Sequence, residues 1–271
     1  MFLTKKALRK IKRLVGFYIG IGIFCIVIAV LFACLKIDSG IDKSMVLIGA
    51  FALLFGVLFR KIGRYAEGKA KLINHANKLV HNELRPAEFI RLYEQARDCP
   101  DNVVSEPDFD VLRLLVLAYD ALGETEQVLD TLEQILAIAP AGMRPMAIIL
   151  KASVLYEMGS TEEAEALYAE VVNMELNFVT RPVMEALVKL DRAMALGDFV
   201  TAEAYCRQSL QRKSFPKNTP LSILYTNFNL AKICLKTNRP EEAREYLQYC
   251  IENGGETAIK SKAADRLREI E

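Results

Sequence analysis

The sequence lacks tryptophan and has only two histidines, His75 and His81, among its 271 residues. Histidine is the side chain best suited to acid–base and metal chemistry near neutral pH, so such chemistry has little material here. The cysteines form no C-x-x-C pair, and their spacing suits neither a zinc site nor a disulfide framework. The sequence therefore predicts six reduced, structural thiols: Cys25, Cys34, Cys99, Cys206, Cys234 and Cys250.

The common catalytic motifs are missing as well. The chain has no phosphate-binding loop and no G-x-G-x-x-G, H-E-x-x-H or G-x-S-x-G motif. Its acidic clusters, such as Glu162, Glu163 and Glu165, lie at expected helix starts, where carboxylates interact favourably with the helix dipole. We therefore expect no enzymatic activity, no cofactor and no metal site.

Charge is divided unevenly along the chain. Residues 1–71 contain 13 Lys and Arg against three acidic residues, a net charge of +10, and residues 72–271 contain 22 basic and 31 acidic residues, a net charge of −9. Binding to nucleic acid needs basic side chains that face phosphates. We therefore expect no nucleic-acid partner.

Two uncharged runs lie within the basic segment. As a helix, residues 14–35 would span roughly 33 Å, which matches the hydrocarbon core of a bilayer. Residues 44–59 would reach only about 24 Å, so a second crossing would require local thinning of the bilayer or basic side chains that extend to the headgroups. The sequence thus predicts a two-helix transmembrane hairpin over 14–59. A basic juxtamembrane arm (1–13) would precede it, and a basic linker with a degenerate first helical pair (60–104) would follow.

The charges that flank these runs predict an orientation. Lys and Arg cluster before the first run and after the second, so both ends are expected in the cytoplasm, with anionic lipid at the basic flanks. The predicted localisation is a multi-pass protein of a bacterial inner (plasma) membrane, since organelle-targeting features are missing. Residues 31–34 leave lipoprotein processing open as an alternative. Small residues that would let the two helices pack closely are Gly16, Gly20, Ala52 and Gly56.

Beyond the membrane segment, helix-breaking residues recur at regular intervals. One set, spaced by 38, 37 and 38 residues, is Pro107, Pro145, Pro182 and Pro220. A second set, spaced by 36, 38 and 41 residues, is Gly123, Gly159, Gly197 and Asn238. Proline is tolerated in the first turn of a helix, and glycine or asparagine suits the bend after one. The spacing predicts stacked pairs of helices.

Capping patterns agree with this register. A side-chain oxygen is expected to bond an exposed amide at the helix starts marked by Ser105-x-x-Asp108, Ser160-x-x-Glu163 and Asn238-x-x-Glu241. The last segment, Glu256 to Glu271, is predicted to be a capping helix with a polar face.

The clearest unit runs from Leu112 to Pro140. This unit resembles a tetratricopeptide repeat. The positions that match the family's pattern are Leu115, Tyr119, Gly123, Leu132 and Pro140, and Val128 stands where the pattern has a small alanine. The later units match at fewer positions, which are Ala152, Gly159, Ala164, Tyr168, Gly197, Ala202, Ala231, Ala243 and Leu247. The resemblance implies an all-α fold: a solenoid of four to five helical hairpins plus a capping helix, over residues 105–271.

In that family, the first helix of each pair lines a concave groove that binds a protein or peptide. The positions carried over to this chain are Arg113, Leu117, Asp120, Met146, Ile149, Ser153, Tyr156, Met184, Leu187, Asp191, Met194, Tyr225, Phe228 and Lys232. Met and aromatic side chains suit an apolar helix or extended peptide, because they adapt their shape and bury much area. The alternative is that the capping helix or residues 64–85 cover these positions and make them core.

These features together predict a non-catalytic, membrane-tethered adaptor or scaffold. It would recruit a protein partner to the cytoplasmic face of the membrane through a concave apolar groove. Two alternatives stay open at this point. One is a homo-oligomeric scaffold without a peptide groove, and the other is an accessory subunit of a membrane enzyme.

Overall fold

The computed structural model describes residues 51–57, 60, 68, 70–98, 108–174, 180–211 and 218–270. The chain divides into two compact units, Met1–Asn74 and His75–Glu271. Every regular element within the described residues is helical, which agrees with the all-α part of the predicted fold class.

The predicted transmembrane hairpin is corrected by the structure. No helix in the described part of the chain is both long and apolar enough to cross a membrane. Residues 51–57 are helical. On the finding that no described helix could span a membrane, the fold class with a transmembrane hairpin and the multi-pass localisation are wrong. Residues 14–35 and most of 44–59 lie outside the described residues.

The small residues predicted to pack the hairpin fall partly in the first unit. Ala52 and Gly56 are buried, whereas Gly16 and Gly20 lie outside the described residues. With no spanning helix among the described residues, the predicted membrane and anionic-lipid contacts have no support there.

In the second unit, residues 75–77 are α-helical and lead into a π-helical turn, Lys78–Asn82. The helices that follow it in the described residues are α1 (Pro86–Arg97), α2 (Phe109–Leu122), α3 (Thr125–Ile138), α4 (Arg144–Glu157), α5 (Thr161–Val172), α6 (Thr180–Ala195), α7 (Phe199–Gln211), α8 (Pro220–Lys236), α9 (Pro240–Asn253) and α10 (Ala258–Glu269). Consecutive helices pack as four hairpins, α2–α3, α4–α5, α6–α7 and α8–α9.

The turns within the hairpins lie where the second set of breaks predicted them. Gly123, Gly159, Gly197 and Asn238 have φ values of 74°, 82°, 75° and 59°. This left-handed conformation costs most L-residues free energy, whereas glycine adopts it freely and asparagine tolerates it. The requirement is local, which explains why the sequence pattern predicted these positions correctly.

The helix starts agree with the pattern only in part. Pro145 and Pro220 lie in the first turns of α4 and α8, as expected. The caps predicted at Ser160 and Asn238 are wrong: the Ser160 side chain makes no capping bond, and Asn238 belongs to the turn that ends α8. Ser105 lies outside the described residues.

Among the caps that do form, those of α2 and α8 satisfy exposed amides by a side-chain oxygen. Asp108 caps α2 by accepting from the backbone N–H of Asp110 at 3.0 Å. At the start of α8, the backbone N–H of Thr219 donates to Ser222 Oγ at 2.8 Å, and the backbone N–H of Ser222 donates to Thr219 Oγ1 at 3.2 Å. This reciprocal capping box was not predicted.

The hairpins cross at small side chains. Ala164, Ala202 and Ala243 are fully buried, which confirms the expected close approach of the two helices in each of these pairs. Val128 takes the equivalent place in the first hairpin and is buried as well. Larger apolar residues from neighbouring helices fill the remaining space, as the repeat pattern predicted.

The two ends of the second unit meet. The predicted capping helix is α10, and it packs against α8 and α2 as well as against α9. Just before it, the backbone N–H of Glu256 donates to the carbonyl oxygen of Leu84 at 3.0 Å. The π-helical turn also packs against α2 and α8. Residues 75–98 therefore belong to the same compact unit as the repeats.

Candidate functional site

The first helix of each hairpin supplies the predicted groove residues, and the structure joins several of them. The hydroxyl of Tyr225 in α8 donates to Asp120 Oδ2 in α2 across 105 residues of sequence. The hydroxyl of Ser153 in α4 donates to Asp191 Oδ2 in α6. Each bond links the first helices of two different hairpins.

Both carboxyl groups lie in an environment that disfavours ionisation. Burial raises the pKa of Asp120 to about 6 and that of Asp191 to about 7, and the negative charge of Glu157 adds to both shifts. The two hydroxyl donors and the positive charge of Lys232 act in the opposite direction. The inner face therefore carries acids that titrate near neutral pH.

A cavity of about 150 Å³ opens between α2, α4, α8 and α10. Its polar and aromatic lining comes from Asp120, Glu157, Tyr225, Phe228, Asn229, Lys232 and Lys262. The ammonium group of Lys232 lies 5.4 Å from the centre of the Phe228 ring, a cation–π distance. The predicted groove is thus narrow and polar here, with α10 covering part of it.

Other predicted groove residues lie in the core. Ile149 is 0% exposed and Tyr156 is 3% exposed. The Tyr156 hydroxyl donates to Glu165 Oε1 at 2.7 Å, away from the cavity. Met146 and Met194 are half-buried and pack against hydrophobic clusters within the array. For these four positions the geometry agrees with the alternative that they are packing residues.

The remaining predicted residues lie apart from the cavity lining. Arg113 and Leu117 are half-buried in α2. The pKa of His81 is lowered by burial and then by the charge of Arg113, whose Nε is itself buried without a hydrogen-bond partner. Met184 and Leu187 lie in α6, and their side chains are not among those described. A role in partner binding stays a prediction for all fourteen positions.

Sequence reasoning missed three polar residues of the cavity lining, Glu157, Asn229 and Lys262, and two apolar ones, Ala258 and Ile259. A signal for Asn229 existed, because Tyr225, Phe228, Asn229 and Lys232 recur at helical spacing on one face of α8. Lys262 had no such signal, since only the packing of α10 against α2 and α8 brings it to the cavity.

Sequence reasoning also missed an outer cleft of about 330 Å³ formed mainly by α6 and the start of α7. Arg192 lines this cleft, donates to both carboxylate oxygens of Glu165 at 2.6 and 3.0 Å, and lies 4.7 Å from the centre of the Tyr168 ring. Lys189 lines the same cleft and is exposed.

Candidate metal and thiol chemistry is limited in the described part of the chain. No group of three or more His, Cys, Asp or Glu side chains there could hold a metal ion. Cys206, Cys234 and Cys250 are free and fully buried, which confirms the prediction that they are structural. Burial raises the pKa of the Cys206 and Cys250 thiols to about 12, so these groups stay protonated at neutral pH. Cys99 lies outside the described residues.

Comparison with known proteins gives one family match. Residues 224–253 match the family model of the tetratricopeptide repeat, and they fall on the hairpin of α8 and α9. The sequence analysis had ranked the unit from Leu112 to Pro140 first, so the match falls on a different hairpin. A search of curated proteins and a search of solved structures found no match.

Proposed function

We propose that this chain is a non-catalytic adaptor that holds a protein or peptide partner on its stacked hairpins. The observation that carries the proposal is the tetratricopeptide repeat at residues 224–253. Arrays of such units offer extended binding surfaces, because each hairpin contributes a few side chains to one continuous face.

The contact surface that we propose is the part of the inner face contributed by α2 and α8. Leu117, Phe228 and Lys232 are half-buried there, so part of each side chain stays free to meet a partner. Ile149 and Tyr156 are buried, and we exclude them from the contact. Aromatic side chains such as Phe228 are enriched at the centre of protein interfaces.

In-cell crosslinking followed by affinity capture of the full-length chain tests this proposal. Lys232→Glu reverses a charge on the inner face, and Lys189→Glu makes the same reversal in the outer cleft. We expect a partner that the native chain and Lys189→Glu both capture and that Lys232→Glu loses. Circular dichroism of the purified variants checks that both remain folded.

The other outcomes separate the alternatives. Loss of the partner only in Lys189→Glu would contradict the inner-face assignment and favour the outer cleft. Retention by both variants would contradict a contact at Lys232. Capture of further copies of this chain alone would contradict partner recruitment and favour a homo-oligomeric scaffold.

A further inference from the structure

A helical segment of the chain itself lies against α2 and α8. Residues 75–77 are α-helical and continue into the π-helical turn, which packs against α1, α2 and α8. Ala76, Leu79 and Val80 are buried, whereas His75 and Lys78 are exposed. This pattern is that of an amphipathic helix with its apolar side on the array. Residues 75–83, called the covering segment below, therefore already lie on the two helices to which we assign the partner.

A buried guanidinium nitrogen of α2 is left without an acceptor. Arg113 Nε is withdrawn from solvent and has no hydrogen-bond partner in the described part of the chain. The other buried side-chain atom of this kind there, Glu88 Oε2, lies 2.6 Å from an Arg85 nitrogen and so has a counter-charge. Buried polar atoms are nearly always bonded, and guanidinium groups bond carboxylates strongly. Arg113 therefore indicates an acceptor that the covering segment does not supply.

His81 is the residue of the covering segment on which the charge of Arg113 acts. Burial lowers the pKa of His81 and the positive charge of Arg113 lowers it further, so the imidazole is neutral at neutral pH. A neutral imidazole offers Arg113 no counter-charge, whereas a carboxylate at the same position would offer one. The covering segment thus matches the surface of α2 and α8 through its apolar side chains but not through the residue at position 81.

The backbone that follows the covering segment is strained. Leu84 has a φ of 54°, a left-handed conformation that costs a bulky L-residue free energy. Its carbonyl oxygen accepts from the backbone N–H of Glu256, which fixes Leu84 to the array. The ion pair of Lys78 with Glu83, at 2.5 Å, lies within the covering segment and would move with it. Strained residues of this kind cluster at switch regions, so Leu84 is placed to act as a hinge.

We propose that the covering segment is an internal occupant of α2 and α8 that an amphipathic helix of the protein partner replaces. The partner helix places apolar side chains where Ala76, Leu79 and Val80 lie and a carboxylate where His81 lies, so Arg113 gains its acceptor. The covering segment turns away at Leu84, which stays bonded to Glu256. The inference rests on the proposed adaptor function, and it adds the class of partner and the competition that regulates its binding.

Fluorescence anisotropy on the full-length chain tests the inference with three labelled peptides. One has the sequence of residues 70–85, the second carries His81→Glu, and the third carries His75→Glu on the exposed side of the same helix. We expect the second peptide to bind at least roughly tenfold more tightly than the other two, because it supplies a carboxylate to Arg113. Arg113→Met in the full-length chain should abolish this difference.

A variant of the full-length chain keeps the test informative if Arg113→Met fails to fold. His81→Glu places the carboxylate in the covering segment itself, which should then leave α2 and α8 less often. The backbone N–H groups of Glu83 and Arg85 bond carbonyl oxygens within the covering segment. We expect their hydrogen exchange to slow by roughly tenfold in this variant. His75→Glu is the matched control and should leave their exchange rate unchanged.

Three results would overturn the inference. Failure of all three peptides to bind would show that the covering segment is not replaced. Equal binding of the peptides, or a difference that survives Arg113→Met, would contradict the carboxylate contact, as would unchanged hydrogen exchange in His81→Glu. If the peptide with His81→Glu binds as expected and affinity capture finds no partner, the adaptor proposal fails alone. If a partner is captured and no peptide binds, only this inference fails.

Discussion

The hydroxyl of Tyr225 bonds the carboxyl group of Asp120, although the two residues belong to the fourth and the first hairpin. The bond therefore connects the first hairpin to the fourth directly, without a contact through the second or third hairpin. Because both groups are withdrawn from water, losing one of them leaves the other poorly compensated.

Removing this hydroxyl should lower stability. We expect Tyr225→Phe to decrease the free energy of unfolding by about 1–3 kcal/mol, because the Asp120 carboxyl group loses its donor. Urea denaturation followed by circular dichroism measures the change. Tyr249→Phe is the matched control, since the Tyr249 hydroxyl makes no hydrogen bond within the described residues, and it should change stability by less than about 0.5 kcal/mol. Equal losses in the two variants would contradict the role of the bond.

Stability should fall as the pH rises through neutrality. Folding raises the pKa values of Asp120 and Asp191 from the ordinary 3.8 to about 6 and about 7, so the fold favours their protonated forms. Their contribution is fully present below about pH 4 and is lost as the pH rises through 6 to 7, at roughly 1.4 kcal/mol for each unit of pKa difference. We expect a lower melting temperature at about pH 8 than at about pH 5.5.

A neutral substitution tests the cause of this dependence. Asp191→Asn keeps an acceptor for Ser153 and removes the charge that Glu157 and Asp120 oppose. We therefore expect Asp191→Asn to raise the melting temperature at about pH 8 and to change it little at about pH 5. A pH profile unchanged from that of the native chain would show that other groups set the dependence.

Substitutions at two glycines with positive φ distinguish the energetic cost of backbone strain from the cost of a steric clash. A Cβ at Gly255 would lie 2.7 Å from Leu84 Cβ and 2.9 Å from the Leu84 carbonyl oxygen, whereas a Cβ at Gly159 would meet nothing within 4 Å. Both substitutions to alanine carry the left-handed strain of about 1–2 kcal/mol. We expect Gly255→Ala to cost about 1–3 kcal/mol more than Gly159→Ala in chemical denaturation, because it also forces Leu84 to move. Equal losses of stability in the two variants would mean that Leu84 moves aside at little energetic cost.

The buried thiols should be unreactive while the chain is folded. Burial raises the pKa of Cys206, Cys234 and Cys250, and the thiolate is the reactive form. We expect iodoacetamide to leave these three unmodified in native buffer at neutral pH and to modify all three in denaturant, as read by peptide mass spectrometry. Rapid native labelling of Cys206 would contradict its burial.

The sequence predicted what depends on short-range chemistry. Gly123, Gly159, Gly197 and Asn238 were found because each turn needs a residue that accepts a positive φ. The cap at Ser160 was wrong, because a capping residue type does not ensure that its side chain turns toward the amide. The transmembrane hairpin was also wrong, since no helix among the described residues is long and apolar enough to cross a membrane.

The sequence predicted individual residues of the candidate site but not which of them contact one another. Helical spacing and the family resemblance placed Asp120, Tyr225 and Lys232 on inner helices, and the structure joins Asp120 to Tyr225. Their meeting depends on how four hairpins stack, which no local pattern encodes. Lys262 was missed because the return of α10 to the cavity follows from the completed fold. Asn229 had a local signal, since it shares one face of α8 with Tyr225 and Lys232, and was missed despite it.

The bond from the Glu256 N–H to the Leu84 carbonyl has a consequence for how such a chain can evolve. An open array with contacts only between neighbours can gain or lose a unit at little cost to the others. Here the segment before α10 returns to the segment before α1, so an inserted or deleted hairpin would pull these two backbone segments apart. Duplication of a repeat between Leu84 and Glu256 would therefore break this closure.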